Sequence, residues 1–172
     1  MAPKPIQGKV LAVSLKAEPG LPKHPSEQIT LLAGCGVEGD YHAGTTIRHR
    51  YLARKDPERP NNRQVLLVDL EIINHIKGLG IQLAPGELGE NILVEGVDLM
   101  ALEIGTCLEI GPALVELTEV REPCYQLDGV HPGLERAVEG GTDHNESPNA
   151  GMLGIVVRGG LVQPGQTVSV LD

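Results

Sequence analysis

The chain has 172 residues and a formal net charge of −9, with 22 Gly, 13 Pro, three Cys, three Tyr and neither Phe nor Trp. That length suits a single domain spanning 1–172 with a core of Leu, Ile, Val, Ala and Met, and the acidic balance argues against nucleic acid or an anionic membrane as partner. No run approaches the ~18 apolar residues of a membrane span, the N-terminal MAPKPIQGKV has no signal-peptide core, and cysteines without CxxC spacing suit a reducing compartment, so a cytoplasmic location is expected.

In chain order, residues 8–15 (GKVLAVSL) and 28–33 (QITLLA) are short apolar runs bounded by Pro and Gly, the pattern of strands. KAEPGLPKHPSE between them reads as a loop. GCGVEGDYHAG, residues 34–44, is too rich in glycine for either regular structure and predicts a loop of unusual path. From Arg48 to Arg63 six Lys or Arg face Asp56 and Glu58, a local +4 that leaves −13 for the remainder. RQVLLVD, residues 63–69, predicts a buried strand, with Asp69 capping a short helix through Leu70, Ile73, Ile76 and Lys77 that stops at Gly78. NILVEG, TCLEIG, ALVELTEV, GIVVRGG and QTVSVLD follow at short intervals between Gly/Pro turns, which indicates an all-β barrel or sandwich. HPGLERAVEGG, residues 131–141, predicts a second short helix with Pro132 near its first turn, and TDHNESPNAG a mobile loop after it.

Four stretches offer chemistry. Cys107 sits in a strand, where the small-hydrophobe reading prevails, and Cys35 between glycines is ambiguous. Cys124 follows the end of a strand, with Arg121 three residues before it and Pro123 fixing the backbone; a nearby cation favours the thiolate, which is both nucleophile and soft metal ligand. Asp40 and His42 share a glycine loop whose backbone N–H groups can converge on an oxyanion, although a tight turn with Asp40 accepting backbone bonds explains the loop equally well. PGELGEN holds Glu87, Glu90 and Asn91 in a further bend, either an acid/base pair or solvated carboxylates. Arg48, Arg50, Arg54 and Arg63 of the basic stretch suit bidentate phosphate contacts or simple solvation, and Arg158 before a Gly-Gly turn is a further candidate. Cys35, His42, Cys107 and Cys124 lack the paired short spacings of a structural zinc site. Walker and Rossmann glycine patterns are missing as well.

In this order, GVEGDYHAG, RQVLLVD, PGELGENILVEGVDL, LEIGPALVELTEVREPC and RGGLVQPGQTVSV resemble the MOSC domain, named for the C-terminal domain of molybdenum-cofactor sulfurases, over roughly residues 30–171. The resemblance implies a mainly β fold, a MOSC-type barrel of short strands with a few short helices. It assigns the family's characteristic cysteine to Cys124, which would carry sulfur as a persulfide or ligate the molybdenum of bound molybdenum cofactor (molybdopterin). It makes Arg48, Arg50, Arg54, Arg63 and Arg121 candidates for phosphate or pterin contacts, and has Asp40, His42, Glu90 and Asn91 line the cofactor pocket near the metal or shape its walls, with Asp40, Glu90 and Asn91 counted among the cofactor-binding residues. His42 is the second catalytic candidate, as proton donor. A sulfur carrier or binder of the cofactor is the leading expectation, a molybdenum-dependent reductase of N-hydroxylated compounds the alternative, and a non-catalytic ligand-binding barrel the third. The expected partner is a sulfur-donor protein or, for the reductase, an electron-donor protein, since the chain carries no ferredoxin-like cysteine cluster. The aminotransferase-like domain of full sulfurases is missing too, so pyridoxal phosphate is not expected.

Overall fold

The computed structural model describes residues 4–139 and 149–171. Eleven strands and four short helices follow one another as β1 Gln7–Leu15, β2 His24–Ser26, β3 Ile29–Leu32, β4 Gly36–Val37, α1 Arg50–Lys55, β5 Val65–Asp69, α2 Leu70–Gly78, β6 Ile92–Glu95, β7 Cys107–Ile110, β8 Ala113–Val120, α3 Gln126–Val130, α4 Leu134–Val138, β9 Met152–Arg158, β10 Gly160–Val162 and β11 Thr167–Leu171. The large sheet runs β11-β7-β8-β9-β5-β6-β1-β2, and pairing of β11 with β1 closes seven of these strands into a barrel, leaving β2 on its edge. A separate three-stranded sheet, β10-β3-β4, lies beside it.

Alternation along the strands builds the interior. In β8, Ala113, Val115 and Leu117 are buried while Leu114, Glu116 and Thr118 are half-buried, the period-2 signature of a sheet with one face inward. The same register puts Leu108 and Ile110 of β7 inside and turns Cys107 outward, where it is half-buried with Sγ 3.9 Å from the Gly105 carbonyl. The expectation that Cys107 fills the core is therefore corrected by one residue of pleat. Strand β5 is buried on both faces. Val65 and Leu67 belong to the barrel core, and Val68 packs with Ile72, Ile76, Leu88, Leu93, Leu127 and Leu134 in a second cluster beneath the helices.

Strands β5 and β6 are parallel, with α2 as the crossover between them. Asp69 does cap α2, accepting from Ile72 N at 3.0 Å, and its other oxygen accepts from Leu99 N at 2.9 Å, tying the helix to a short 3-10 turn at Leu99–Ala101. The helix ends on Gly78, as its sequence predicts. Leu79 is its C-cap and Gly80, at φ +93°, takes the left-handed position that ends it.

Four other readings need amendment. The loop of 16–27 contains β2, the glycine loop of 34–44 contains β4, and the basic stretch contains α1. The helix expected within 131–141 is α4, preceded by α3, which turn-rich QLDGV conceals. TDHNESPNAG lies largely outside the described residues. Among the described residues no helix is long and apolar enough to cross a membrane.

Candidate functional site: a cysteine between two cationic hollows

At the end of β8 the chain leaves the barrel rim. The backbone N–H of Arg121 still donates to the Gly151 carbonyl at 3.0 Å, but Glu122, Pro123 and Cys124 have no sheet partner and lead into α3, where Leu127 N donates to the Cys124 carbonyl at 3.0 Å. Cys124 is half-buried and unpaired, as are Cys35 and Cys107. It lines two hollows, an outer one of about 330 Å³ and an inner one of about 130 Å³, which share Leu21, His42, His49 and Gln126 as well. The thiol thus stands on their common wall.

The inner hollow is cationic, walled by Lys23, Arg63 and Arg121 with Gln64, Asn91 and Glu122. Arg63 is ion-paired with Glu119 through Nε. Arg121 is buried, and among the described residues its guanidinium makes one long hydrogen bond, from Nη1 to the Ala150 carbonyl at 3.4 Å. Burial lowers its pKa, and the negative charge available at Cys124 and at Glu90 opposes that shift. Among the described residues most of its five donors have no acceptor.

Behind this wall Asp40 organises the site. Its Oδ2 accepts from Lys23 Nζ at 2.9 Å and from the His42 backbone N–H at 3.0 Å, and its Oδ1 accepts from Lys16 N at 3.1 Å and from Asn91 Nδ2 at 3.3 Å. Burial alone would raise the Asp40 pKa, but hydrogen bonding to His42 and the Lys23 ammonium hold it well below the usual carboxylate range. Burial in turn pulls the Lys23 pKa down, with Asp40 opposing. His42 Nδ1 stands 3.6 Å from Asp40 Oδ2, which orients the imidazole on the wall shared with Cys124. Beside it, burial first and then the charges of Arg63 and His42 lower the pKa of His49, whose Nδ1 is buried without a partner among the described residues.

Lys23 reaches this position because the loop before β6 presses against its backbone. Lys23 N donates to the Gly86 carbonyl at 2.9 Å, and a Cβ on Gly86 would lie 2.3 Å from the Lys23 carbonyl oxygen. Gly86 N donates to Glu90 Oε1 at 2.6 Å. Glu90 Oε2 has no partner among the described residues, and burial raises the Glu90 pKa.

The outer hollow lies under α1, which supplies Arg50, Tyr51 and Arg54 opposite Cys124, Tyr125 and Gln126. No residue of α1 is buried. The excursion is held at its neck by an isolated bridge between Thr46 and Pro60 and by Ile47 N donating to the Arg59 carbonyl at 2.8 Å. Asn61 Nδ2 then donates to the His42 and Gly44 carbonyls at 2.8 and 2.9 Å, joining that neck to the loop bearing His42.

Of the residues singled out from sequence, Cys124, His42, Arg50, Arg54, Arg63, Asn91 and Arg121 line one hollow or both. Asp40 and Glu90 line neither; they are buried behind the wall, with Asp40's carboxylate consumed by internal donors, so neither is placed for direct contact with a ligand. Arg48 lines neither, its guanidinium lying 5.2 Å from the Tyr41 ring centroid. Arg158 pairs with Glu109 at 2.9 Å and donates to the Pro112 carbonyl, and Glu87 accepts from Ala84 N. Lys23, His49, Asn61 and the tyrosines were not singled out. No cluster of three His, Cys, Asp or Glu side chains among the described residues is arranged to hold a metal ion.

A closed barrel of seven short strands, carrying a thiol at its rim between basic hollows, defines the class of this protein. The MOSC domain model matches residues 39–169, and the chain belongs to that family. The YuaD protein from Bacillus subtilis is similar in structure at 25% identity and a TM-score of 0.79, covering 97% of both chains. YiiM from Escherichia coli shares the fold at 16% identity and a TM-score of 0.62, over 95% of this chain and 70% of that one. YiiM from Geobacillus stearothermophilus does so at 18% and 0.62, over 97% and 74%. Comparison with curated proteins gives no match.

Proposed function

We propose that this MOSC protein binds molybdenum cofactor, or carries sulfur for a metal centre, through the Cys124 thiolate. The supporting observation is the juxtaposition of a half-buried thiol with Arg121, a buried guanidinium that has one long hydrogen bond among the described residues. The donor set fits an anionic, sulfur-rich group: Cys124 supplies one soft ligand, the other metal donors must come from the group itself because the described residues offer no three-ligand cluster, and Arg121 and Lys23 counter negative charge. When bound, such a group supplies two-electron redox chemistry. The protein's part is to hold the thiol beside Arg121 and to present His42, backed by Asp40, as a proton donor at the same wall. That pairing is the observation behind the second reading, a reductase.

Protein produced in a host that makes the cofactor is expected to contain molybdenum and pterin in comparable amounts, or to show added sulfur on Cys124 by intact mass under non-reducing conditions, and Cys124→Ser is expected to lose both. Wild type and Cys124→Ser alike in lacking metal, pterin and added sulfur would overturn the proposal.

A further inference from the structure

Most of the polar groups that wall the inner hollow are already spent inside the protein. Lys23 Nζ is paired with Asp40 at 2.9 Å, and Arg63 is paired with Glu119. Gln64 donates to the Asn61 carbonyl and accepts from Val156 N, both at 2.9 Å, while Asn91 bonds Leu66 N, the Ser14 carbonyl and Asp40. Arg121 differs. It is 8% exposed, lines the hollow, and among the described residues makes one hydrogen bond, at 3.4 Å. A guanidinium buried to that degree with its donors unspent calls for an acceptor that comes from outside. Gly89 of the same lining keeps one side of it clear, since a Cβ there would lie 3.8 Å from Arg121 Nη2. Burial favours the neutral form of Glu90, whose charge would otherwise answer that of Arg121, and Glu122 in the lining is exposed and screened by solvent. At about 130 Å³ the hollow falls well below the ~300 Å³ at which pockets for drug-sized ligands begin, so it suits an ion of a few atoms.

We infer that the inner hollow is a donor subsite for thiosulfate, a small tetrahedral oxyanion with a transferable sulfur, whose sulfonate oxygens accept from Arg121 while its outer sulfur meets Cys124. The inference rests on the sulfur-carrying reading of Cys124 and names the donor. The thiol gives its proton to solvent, and the thiolate attacks the outer sulfur of thiosulfate. A bond forms between Cys124 Sγ and that sulfur, the S–S bond of thiosulfate breaks, and sulfite leaves with the bonding electron pair. Cys124 is left as a persulfide. No external oxidant or reductant enters, because the sulfur arrives already bonded to sulfur. The negative charge passes from the thiolate to the departing sulfite and the new persulfide, and Arg121 is a fixed cation on the wall where that charge develops. Leu21, Leu66 and Leu153 of the same lining keep the surroundings apolar, which strengthens a charge-assisted bond.

The test starts from protein as isolated, treated with cyanide to remove any sulfur it carries and then given millimolar thiosulfate. Intact mass under non-reducing conditions is expected to rise by one sulfur atom, mapped to Cys124 and not to Cys35 or Cys107, with one sulfite released per sulfur gained and thiocyanate formed when cyanide is added back. The rate is expected to saturate with thiosulfate and to fall when sulfate, which has the shape and charge but no sulfur to give, competes for Arg121. Arg121→Gln is expected to lower the thiosulfate rate, divided by the rate of a neutral disulfide, at least ~10-fold, the loss of a hydrogen bond to a charged group, with Arg121→Lys recovering part of it. Since Arg121 is buried, competition by sulfate in wild type decides the matter should the Gln variant fail to fold. No sulfur gained by Cys124, a rate linear in thiosulfate and indifferent to sulfate, or equal loading of Cys35 and Cys107 would overturn the subsite. Protein that brings added sulfur, molybdenum or pterin from its host but takes no sulfur from thiosulfate would overturn the donor and leave the reading of Cys124 standing. Loading by thiosulfate of a protein that brings none of these from its host would support the donor subsite and count against the reading of Cys124 in the cell.

Discussion

At Asp40 and Glu90 two buried carboxylates respond to pH with opposite signs. Asp40 is depressed by its donors, so its stabilising contribution is complete above the unfolded carboxylate value of about 4 and is lost as pH falls below it. Glu90 is raised by burial, so the folded state holds a proton that the unfolded chain has released above about 4.3, and stability falls as pH rises through that window. Asp40→Asn would set an amide N–H against donors in either orientation, the Lys23 ammonium and His42 N–H on one side or the Lys16 N–H and Asn91 amide on the other. A loss of about 3 kcal/mol is expected, near the lower end for a broken buried pair because Lys23 can shed its proton. Glu90→Gln keeps an acceptor for Gly86 N and removes the charge, so it should flatten the fall of stability as pH rises above about 4. Denaturant midpoints measured across that range check both, and parallel curves for wild type and Glu90→Gln would contradict the assignment. Much of the residue-scale chemistry was legible: the thiol that ends REPC, the arginine three residues before it and a histidine in a glycine loop line one hollow. Lys23 was not, because nothing in KAEPGLPKHPSE distinguishes a buried lysine from a solvated one; its burial depends on Gly86, more than sixty residues away.

Elements were legible in proportion to how far local pattern decides them. Strands with alternating or continuous apolar runs, and α2 with its Asp69 cap, are written in their own residues. Helix α1 is not, since it has no buried residue and no capping side chain, and its excursion is closed at the neck by the Thr46–Pro60 bridge. Nor is α3, whose five residues include a glycine and whose place depends on Leu127 entering the cluster beneath the helices. Two glycines show what the loops between elements contribute. Gly80 and Gly86 have nearly the same backbone, φ +93° and +88°, but a Cβ at Gly80 meets nothing within 4 Å whereas one at Gly86 meets the Lys23 carbonyl at 2.3 Å. Gly80→Ala should therefore cost only the left-handed strain, about 1 kcal/mol. Gly86→Ala should cost that plus a backbone displacement, about 3 kcal/mol in all, and should also change the rate at which Cys124 is alkylated, because the loop that seats Lys23 must move. Equal losses from the two substitutions, measured by chemical denaturation, would show that the close approach of that loop is not what Gly86 provides.

Across the whole molecule the charges divide. The segment from Arg48 to Arg63 carries +4 and the remainder −13, and the cationic side chains of the hollows stand around Cys124 within an acidic body. Which field an approaching anion feels depends on the screening length, about 30 Å at 0.01 M salt and about 10 Å at 0.1 M. At the lower salt the long-range field of a net −9 opposes approach. Near 0.1 M that repulsion is screened while the arginines of the site, within a screening length of the thiol's ligand, still attract. Above it both fade. The rate at which a dianionic disulfide reagent modifies Cys124, followed residue by residue by mass spectrometry and divided by the rate of a neutral disulfide, is therefore expected to pass through a maximum near 0.1 M salt. In Arg50→Glu/Arg54→Glu protein the maximum should be lowered, because the outer hollow then repels the reagent while Lys23, Arg63 and Arg121 of the inner hollow remain. A steady rise in wild type would mean that the basic stretch is solvated surface without influence on the thiol, and the case for an anion-binding rim would fail with it.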